Sequence, residues 1–128
     1  MNKMKDYIAS WKSSSKPRKQ RKYRSKAPLH TKLKFAHAGL SKDLRKKYGK
    51  RNIGLKKGDK VKVMRGEFKK HEGKIERIDL KTIRIFVSGV ETTKKDGTKK
   101  MVALHPSNVI LTEINLDDKM RQSILDRK

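Results

Sequence analysis

The chain contains no cysteine among its 128 residues, which excludes disulfide bonds and thiolate metal sites. No stretch approaches the run of about 18 apolar residues that a membrane span requires, so none is predicted. The first residues, MNKMKDYIASWK, also lack the apolar segment of roughly 7–15 residues found in a secretory signal. We therefore expect a cytoplasmic protein.

Apolar and aromatic residues are scarce, at 33% and 5% of the chain, whereas an ordinary globular domain is about 45–50% apolar. This composition supports a core of about 60–70 residues, so a small domain with tails is predicted. The motifs GxxxxGK[ST], GxGxxG and a strained serine elbow are also missing. We expect no enzymatic activity, no cofactor and no small-molecule substrate.

Acidic residues are few: 13 Asp and Glu stand against 37 Lys and Arg, for a net charge of +24. A compact free chain with that charge repels itself, which predicts a polyanionic partner. Nucleic acid is the leading candidate, and an anionic membrane surface is weaker because no long amphipathic basic helix is evident. Residues 16–34 hold nine basic residues and no acidic one, so we expect them to be extended or disordered when free and to fold on RNA. A merely solubilising tail is the alternative.

Three short helices are predicted before residue 50, near the N-terminus, over 29–38 and over 41–48. The third has Ser41 as its cap and Gly49 as its left-handed end. The expected inward-facing residues of the first two are Met4, Ile8, Trp11, Leu33 and Ala36. A packing role for the first stripe is favoured over a cofactor site.

From residue 55 the apolar period changes to two, which predicts strands at 60–64, 74–80, 82–87, 99–104 and 108–112. Asp96 and Gly97 give a tight hairpin turn between the third and fourth strands. This spacing predicts a small barrel or sandwich. Residues 115–128 predict a final helix capped by Asn115. Its apolar stripe, expected to dock on the barrel or on a neighbour, is Leu116, Met120 and Ile124.

The stretch from Gly58 to Asp79 joins two of these strands through a loop rich in Lys, His and Gly. It resembles the KOW motif of RNA-contacting ribosomal proteins and transcription elongation factors. The motif's structural positions are Val61, Val63, Gly66, Gly73, Ile75 and Ile78. Its central glycine falls on Gly73, where the chain re-enters a strand and a side chain would be crowded.

The resemblance extends over five ordered segments: 17–24, 27–30, 40–51, 56–81 and 105–118. Together they resemble the KOW-containing family of large-subunit ribosomal proteins numbered twenty-four, in its archaeal and eukaryotic form. The family's loop commonly reads Lys-Gly where this chain has Lys69-Lys70. Residues 1–15 lie outside the pattern.

This resemblance implies a mainly β fold: a small SH3-like barrel with a basic extended N-terminal arm and short flanking helices. The expected domains are an N-terminal extension at 1–54, a barrel at 55–114 and a helix at 115–128. The implied function is binding to the first domain of large-subunit rRNA, beside neighbouring ribosomal proteins. A position near the nascent-chain tunnel exit and an early role in subunit assembly are also implied. The alternative is a transcription-elongation or chromatin-binding module on the same barrel.

The residues expected to bind RNA are basic or aromatic and occupy the N-terminal extension and the KOW loop. They are Lys16, Arg18, Lys19, Arg21, Lys22, Tyr23, Arg24, Lys26, His30, Lys32, Lys34, Lys50, Arg51, Arg65, Phe68, Lys69, Lys70 and His71. Arginine pairs with phosphate in a bidentate manner, and Tyr23 would stack on an unpaired base. A bystander role for Tyr23 and packing of Phe68 on the barrel rim remain open.

Acidic residues near the motif raise a nuclease alternative. They are Glu67, Glu72, Glu76 and Asp79. Surrounding cations should lower the pKa values of these carboxyl groups, which favours charge partners over general acids. His30 and His37 are seven residues apart, but no Cys or carboxylate completes a ligand set, so no metal site is predicted.

Overall fold

The computed structural model of this chain describes residues 7–127, so Met4 of the predicted N-terminal stripe lies outside the described residues. Four α-helices are α1 (Pro17–Lys26), α2 (Leu29–Phe35), α3 (Lys42–Tyr48) and α4 (Lys119–Asp126). Short 3₁₀ helices cover Ala9–Ser13 and Pro106–Asn108. Strands are β1 (His37–Leu40), β2 (Asn52–Gly54), β3 (Lys60–Val63), β4 (Glu72–Asp79), β5 (Arg84–Val87), β6 (Glu91–Thr93), β7 (Lys99–Met101) and β8 (Val109–Glu113). Across residues 7–127, no helix is both long enough and apolar enough to cross a bilayer.

Six strands form one sheet in the order β2-β1-β8-β3-β4-β5, and β6 pairs with β7 in a separate ribbon. Only the β1–β8 pair among these described strands is parallel, with Gly39 opposite Ile110. The β6–β7 turn contains Gly97 at φ +85°, where the hairpin signal predicted a turn. The strand before this turn is β6, which the sequence did not predict, and not the strand predicted at 82–87. The prediction of a small, mainly β fold is confirmed. Among the pairings within residues 7–127, β2 stands at one end of the sheet, and β5 at the other end is joined by an antiparallel bridge between Ile85 and Leu104.

The core is built from alternate residues of the strands. Val61 and Val63 in β3 and Ile75 in β4 are buried, and Ile78 packs against the same cluster from a half-buried position. Val61 and Val63 share a face because strand residues two apart do so. Ile75 and Ile78 are three apart, and a register shift between Ile75 and Arg77 brings both to the same cluster. The inward positions predicted for the motif are therefore confirmed.

The sheet begins earlier than the expected domain boundary between residues 54 and 55. Ala38 and Leu40 of β1 and Ile53 of β2 belong to the main core. These strands have only four and three residues, which is too short for a period of two to stand out. Residues 37–54 therefore form part of the β domain rather than of a separate extension.

The extended conformation expected for residues 16–34 is wrong for this structure, because α1 and α2 cover most of the block. Lys, Arg and Gln have high helix propensity, and Pro17 occupies the first turn, where its missing N–H costs nothing. Pro28 likewise precedes α2. Helical propensity and the burial of Tyr23 outweigh the repulsion between like charges.

Leu33 was expected to face inward from the second helix, but its side chain is 52% exposed. Lys32 is buried instead, and its Nζ donates to the carbonyl oxygen of Lys81 at 3.0 Å. The aliphatic stem of a lysine covers apolar surface while its ammonium group finds a polar partner. Because Lys32 faces the protein, the side of α2 that carries Leu33 faces solvent.

The stripe of Leu116, Met120 and Ile124 is exposed and does not dock as a unit on the sheet, while its docking on a neighbour stays a prediction. α4 begins after Asp118, whose side chain accepts from the N–H of Met120, so Asp118 and not Asn115 is the cap. Met120 is 71% exposed, whereas Arg121 and Leu125 face the protein. Arg121 determines this orientation through a buried ion pair with Asp59.

Candidate nucleic-acid interface

One basic surface is formed by α1. Arg18, Arg21, Lys22 and Arg24 are exposed, and none of them takes part in the ion pairs formed within residues 7–127. The helix carries no acidic residue. At 3.6 residues per turn, Arg18 and Arg21 stand on the same solvent side. We refer to these four residues as the α1 basic face.

The N-terminal 3₁₀ helix packs against α1 beside the basic face, and the Lys22 side chain borders both. The Nε2 atom of Gln20 donates to the carbonyl oxygens of Trp11 and Lys12, each at 3.1 Å. The Nζ atoms of Lys19 and Lys22 lie 5.9 and 5.7 Å from the Trp11 ring centroid, within cation–π range. These contacts hold the 3₁₀ helix against α1. In the sequence, the only signal for them was the i, i+4, i+7 spacing of Met4, Ile8 and Trp11.

Two predicted RNA contacts in this region do not fit the structure. Tyr23 is only 8% exposed, with its ring between those of Tyr7 and Phe35, so it has no free face for a base. Lys32 is buried and bonded to a carbonyl oxygen. Both side chains instead pack the helices against their neighbours.

The other cations predicted to bind RNA between residues 16 and 51 are more open to solvent. Lys16, Lys26, His30, Lys34 and Arg51 are exposed, and Lys50 is half-buried. Arg24 also lies close enough to His105 to affect it electrostatically. Burial, followed by the charges of Arg84 and Arg24, lowers the pKa of His105.

The second basic surface is the loop between β3 and β4. Arg65, Lys69 and Lys70 are exposed there, and we refer to them as the KOW-loop cations. The loop is ordered by main-chain bonds: Lys69 N–H donates to Gly66 O at 3.2 Å and Lys70 N–H to Val63 O at 2.8 Å. Gly66 has φ +92°, as expected for a turn glycine.

Lys70 adopts φ +73°, a left-handed conformation that favours glycine. It stands at the position where the resembling family commonly carries glycine. The loop therefore keeps a glycine-type backbone path while presenting an additional positive charge. A lysine at this position therefore brings backbone strain together with its positive charge.

Phe68 and His71 are less available than the KOW-loop cations. Phe68 is half-buried against the core, which matches the alternative of rim packing. The Nε2 atom of His71 donates to the carbonyl oxygen of Ser88 at 2.9 Å. Both residues therefore brace the loop from beneath.

Gly73 is required for space rather than for a positive φ. A Cβ atom added there would lie 2.6 Å from the Ser88 carbonyl oxygen and 2.9 Å from Val87 Cγ1. No real Cβ atom approaches a backbone oxygen so closely without a shift of the chain. The crowding predicted from the motif is confirmed, and its source is the start of the β5–β6 connection.

Two of the four carboxylates near the motif, Glu72 and Asp79, pair with local donors. Glu72 lies 3.2 Å from the Nζ atom of Lys62. The hydroxyl of Thr82 donates to Asp79 at 2.8 Å and, with the N–H of Lys81 and the charge of Arg77, lowers the pKa of that carboxyl. The direction agrees with the prediction for Asp79, but hydrogen bonds rather than the surrounding cations are the main cause of the lowered pKa. Within residues 7–127, no group of three or more His, Asp or Glu side chains is arranged to hold a metal ion.

Comparison with known proteins identifies the family. The model for the eukaryotic ribosomal proteins L26 and their archaeal L24 counterparts matches residues 14–128. The chain belongs to this family. Large ribosomal subunit protein uL24 of Methanothrix thermoacetophila is 50% identical over 114 residues, covering 89% of this chain and 98% of that protein. The protein of the same name from Methanosphaera stadtmanae is 45% identical over 115 residues, covering 90% and 98%.

The region that matches this ribosomal protein family includes both basic surfaces described above, because the match begins at residue 14. It favours the ribosomal interpretation of the KOW motif over the transcription-elongation alternative. The family match does not include Tyr7, Trp11 or Lys12. These residues are nevertheless ordered against α1, so this chain adds a structured segment to the part it shares with the family.

Proposed function

We propose that this chain is a non-catalytic structural constituent of the large ribosomal subunit, in the cytoplasm, and that it binds large-subunit rRNA. The observation that carries the proposal is the α1 basic face, whose four cations have no ion-pair partner within residues 7–127. Rows of phosphates would neutralise these cations and release condensed counterions. The names of the two archaeal relatives support the large subunit as the location.

The two basic surfaces have different mechanical roles in this proposal. The α1 basic face is a preformed helix, so its arginines lose less freedom on binding than they would in an extended chain. The KOW-loop cations stand on a braced turn of the β domain. Arginine at Arg18, Arg21 and Arg65 suits bidentate phosphate contacts, whereas the lysines act as point charges.

The family resemblance extends the proposal to finer points. We infer that the rRNA partner is the first domain of the large-subunit rRNA and that the chain acts early in subunit assembly. A position near the exit of the nascent-chain tunnel, beside other large-subunit proteins, follows from the same resemblance. Co-sedimentation of the native protein with the large subunit through a high-salt sucrose gradient tests the location.

RNA binding itself is tested by salt dependence. Replacing Arg18, Arg21 and Lys22 by glutamine removes three charges and should reduce the slope of log K against log salt by about 2, since each contact contributes roughly 0.7–0.9. The matched control replaces Lys94, Lys95 and Lys100, three exposed lysines of the β6–β7 ribbon, by glutamine. Equal slopes for the two triple variants would mean that binding follows net charge alone, against a defined interface on α1.

A further inference from the structure

A cavity of about 420 Å³ lies where the N-terminal segment meets α1 and α2. Three aromatic residues and three cations line most of it, together with Gln20 and Thr31. They are Tyr7, Tyr23, Phe35, Lys12, Arg24 and Lys34. The cavity is within the range of about 300–1,000 Å³ that is usual for small-ligand sites.

The aromatic part of the cavity has a fixed geometry. The ring centroids of Tyr7 and Tyr23 are 5.4 Å apart, and Phe35 meets Tyr23 edge-to-face at 5.9 Å. Tyr23 is buried between the other two rings, which are only half-buried. The Tyr7 side chain and burial together raise the pKa of the Tyr23 hydroxyl, so the phenol stays neutral. Tyr23 thus acts as a rigid base that leaves part of Tyr7 and Phe35 available to a ligand.

The cations of the cavity form no ion pair within the described part of the chain. Lys12, Arg24 and Lys34 are exposed, and none of them enters an ion pair with a carboxylate of residues 7–127. No acidic residue lines the cavity. Lys12 is held in place through its carbonyl oxygen by the Nε2 atom of Gln20. Such a site requires an anionic ligand.

We propose that this cavity binds one unpaired nucleotide of an RNA strand, with its base against Tyr7 or Phe35 and its phosphates at Lys12, Arg24 and Lys34. A nucleotide joins a planar π-system to a phosphate, and aromatic platforms beside cations are the usual means of holding such groups. The proposal rests on the proposed RNA-binding function and adds a site to it. Because the family match starts at residue 14, Tyr7 and Lys12 make the site a property of this chain's additional segment.

The test measures binding of an eight-nucleotide single-stranded oligouridine by the full-length chain and its variants. Tyr7→Leu should weaken binding about fivefold or more, the effect of losing one base–aromatic stack. Its salt slope should not change, because no charge is removed. Tyr7→Phe should bind within about twofold of wild type. The control Tyr48→Leu, which removes a ring that also lies beside a lysine, should leave affinity unchanged.

A second set of variants covers the case in which Tyr7→Leu loosens the N-terminal segment. Lys12→Gln and Lys34→Gln keep every ring and change exposed side chains. Each should lower affinity and reduce the salt slope by about 0.7. Ultraviolet crosslinking of the same oligonucleotide, mapped by mass spectrometry, should label Tyr7 or Phe35.

The outcomes separate this site from the proposed function. If the oligonucleotide binds but the Tyr7 and lysine variants match wild type and crosslinks fall elsewhere, the cavity proposal is wrong and RNA binding stands. If neither the oligonucleotide nor rRNA binds wild type, the proposed function fails as well. Uridine monophosphate is tested as a competitor. Competition at the same concentrations as the oligonucleotide would overturn RNA as the source and identify a free-nucleotide site.

Discussion

Removing Arg121 from α4 should strongly destabilise the protein. Its guanidinium forms two bonds of 2.6 Å to Asp59 and also donates to the carbonyl oxygens of Asn115 and Gly54. Both side chains of the ion pair are almost inaccessible, at 3% and 0% exposure. Arg121→Met would leave Asp59 charged in the interior with two main-chain donors, the N–H groups of Lys56 and Asn115.

The size of the effect follows from that geometry. Breaking a buried ion pair from one side costs about 3–5 kcal/mol, since the remaining charge is neither solvated nor paired. A domain of this size has about 5–15 kcal/mol of total stability. The melting temperature should therefore fall by about 10–20 °C. Asp59→Asn should have an effect of similar size, because the same pair is broken from its other side.

Urea unfolding followed by far-ultraviolet circular dichroism measures this loss. Lys119→Met is the matched control, since it places the same side chain on an exposed position of the same helix and should change stability by less than about 0.5 kcal/mol. The double variant with Asp59→Asn should lose less than the sum of the single losses, because the two changes remove one shared interaction. An Arg121→Met protein as stable as the control would refute the reasoning, and additive losses would show that the two residues act separately.

Three other changes test single features. Gly73→Ala should cost about 1–3 kcal/mol because its Cβ would lie 2.6 Å from the Ser88 oxygen; an unchanged urea midpoint would contradict this. Lys70→Gly should raise stability by about 0.5–1 kcal/mol by relieving φ +73°, and a lower midpoint would argue against strain. The pKa of His105 is lowered on folding, so the unfolded chain gains a proton first and stability should fall as the pH drops below about 6.5. His105→Asn should show a smaller loss between about pH 7 and pH 5, and an identical loss would exclude this residue as the cause.

The β domain was largely predictable from local pattern, because buried apolar residues alternate with polar residues along the sequence of its strands. Val61, Val63 and Ile75 alternate with charged neighbours, and strands of four to eight residues display this clearly. Ser41 and Gly49 likewise mark α3 through local capping chemistry: Ser41 accepts from the N–H of Leu44, and Gly49 has φ +64°.

The features that sequence reasoning missed depend on partners distant in the chain. Asp59 and Arg121 are 62 positions apart, and nothing in either neighbourhood shows that one buries the other. The orientation of α4 follows from that pair, so the apolar stripe containing Met120 misled the prediction. The basic block was misjudged for a related reason, since Tyr23 is buried by Tyr7 and Phe35 from separate segments.

In the candidate site, the exposed cations were predictable because charge excess alone identifies them. Which of the predicted residues are withdrawn from solvent was not, as the burial of Lys32 and the bond from His71 to Ser88 show. Both depend on tertiary contacts with residues 17 or more positions away. Charge count therefore locates the region of an interface, while packing decides its members.

The position of β8 in the sheet has a consequence for synthesis. β8 lies between β1 and β3. The strands β1 and β2 therefore cannot join β3 in the sheet until residues 109–113, which form β8, have been translated. The partner of the Asp59 carboxylate, Arg121 in α4, is translated later still. Such non-local pairing makes folding slow, and it delays the finished domain until translation is almost complete. The basic helices emerge well before that point, and a nascent chain therefore exposes its positive charge while its sheet is still unformed.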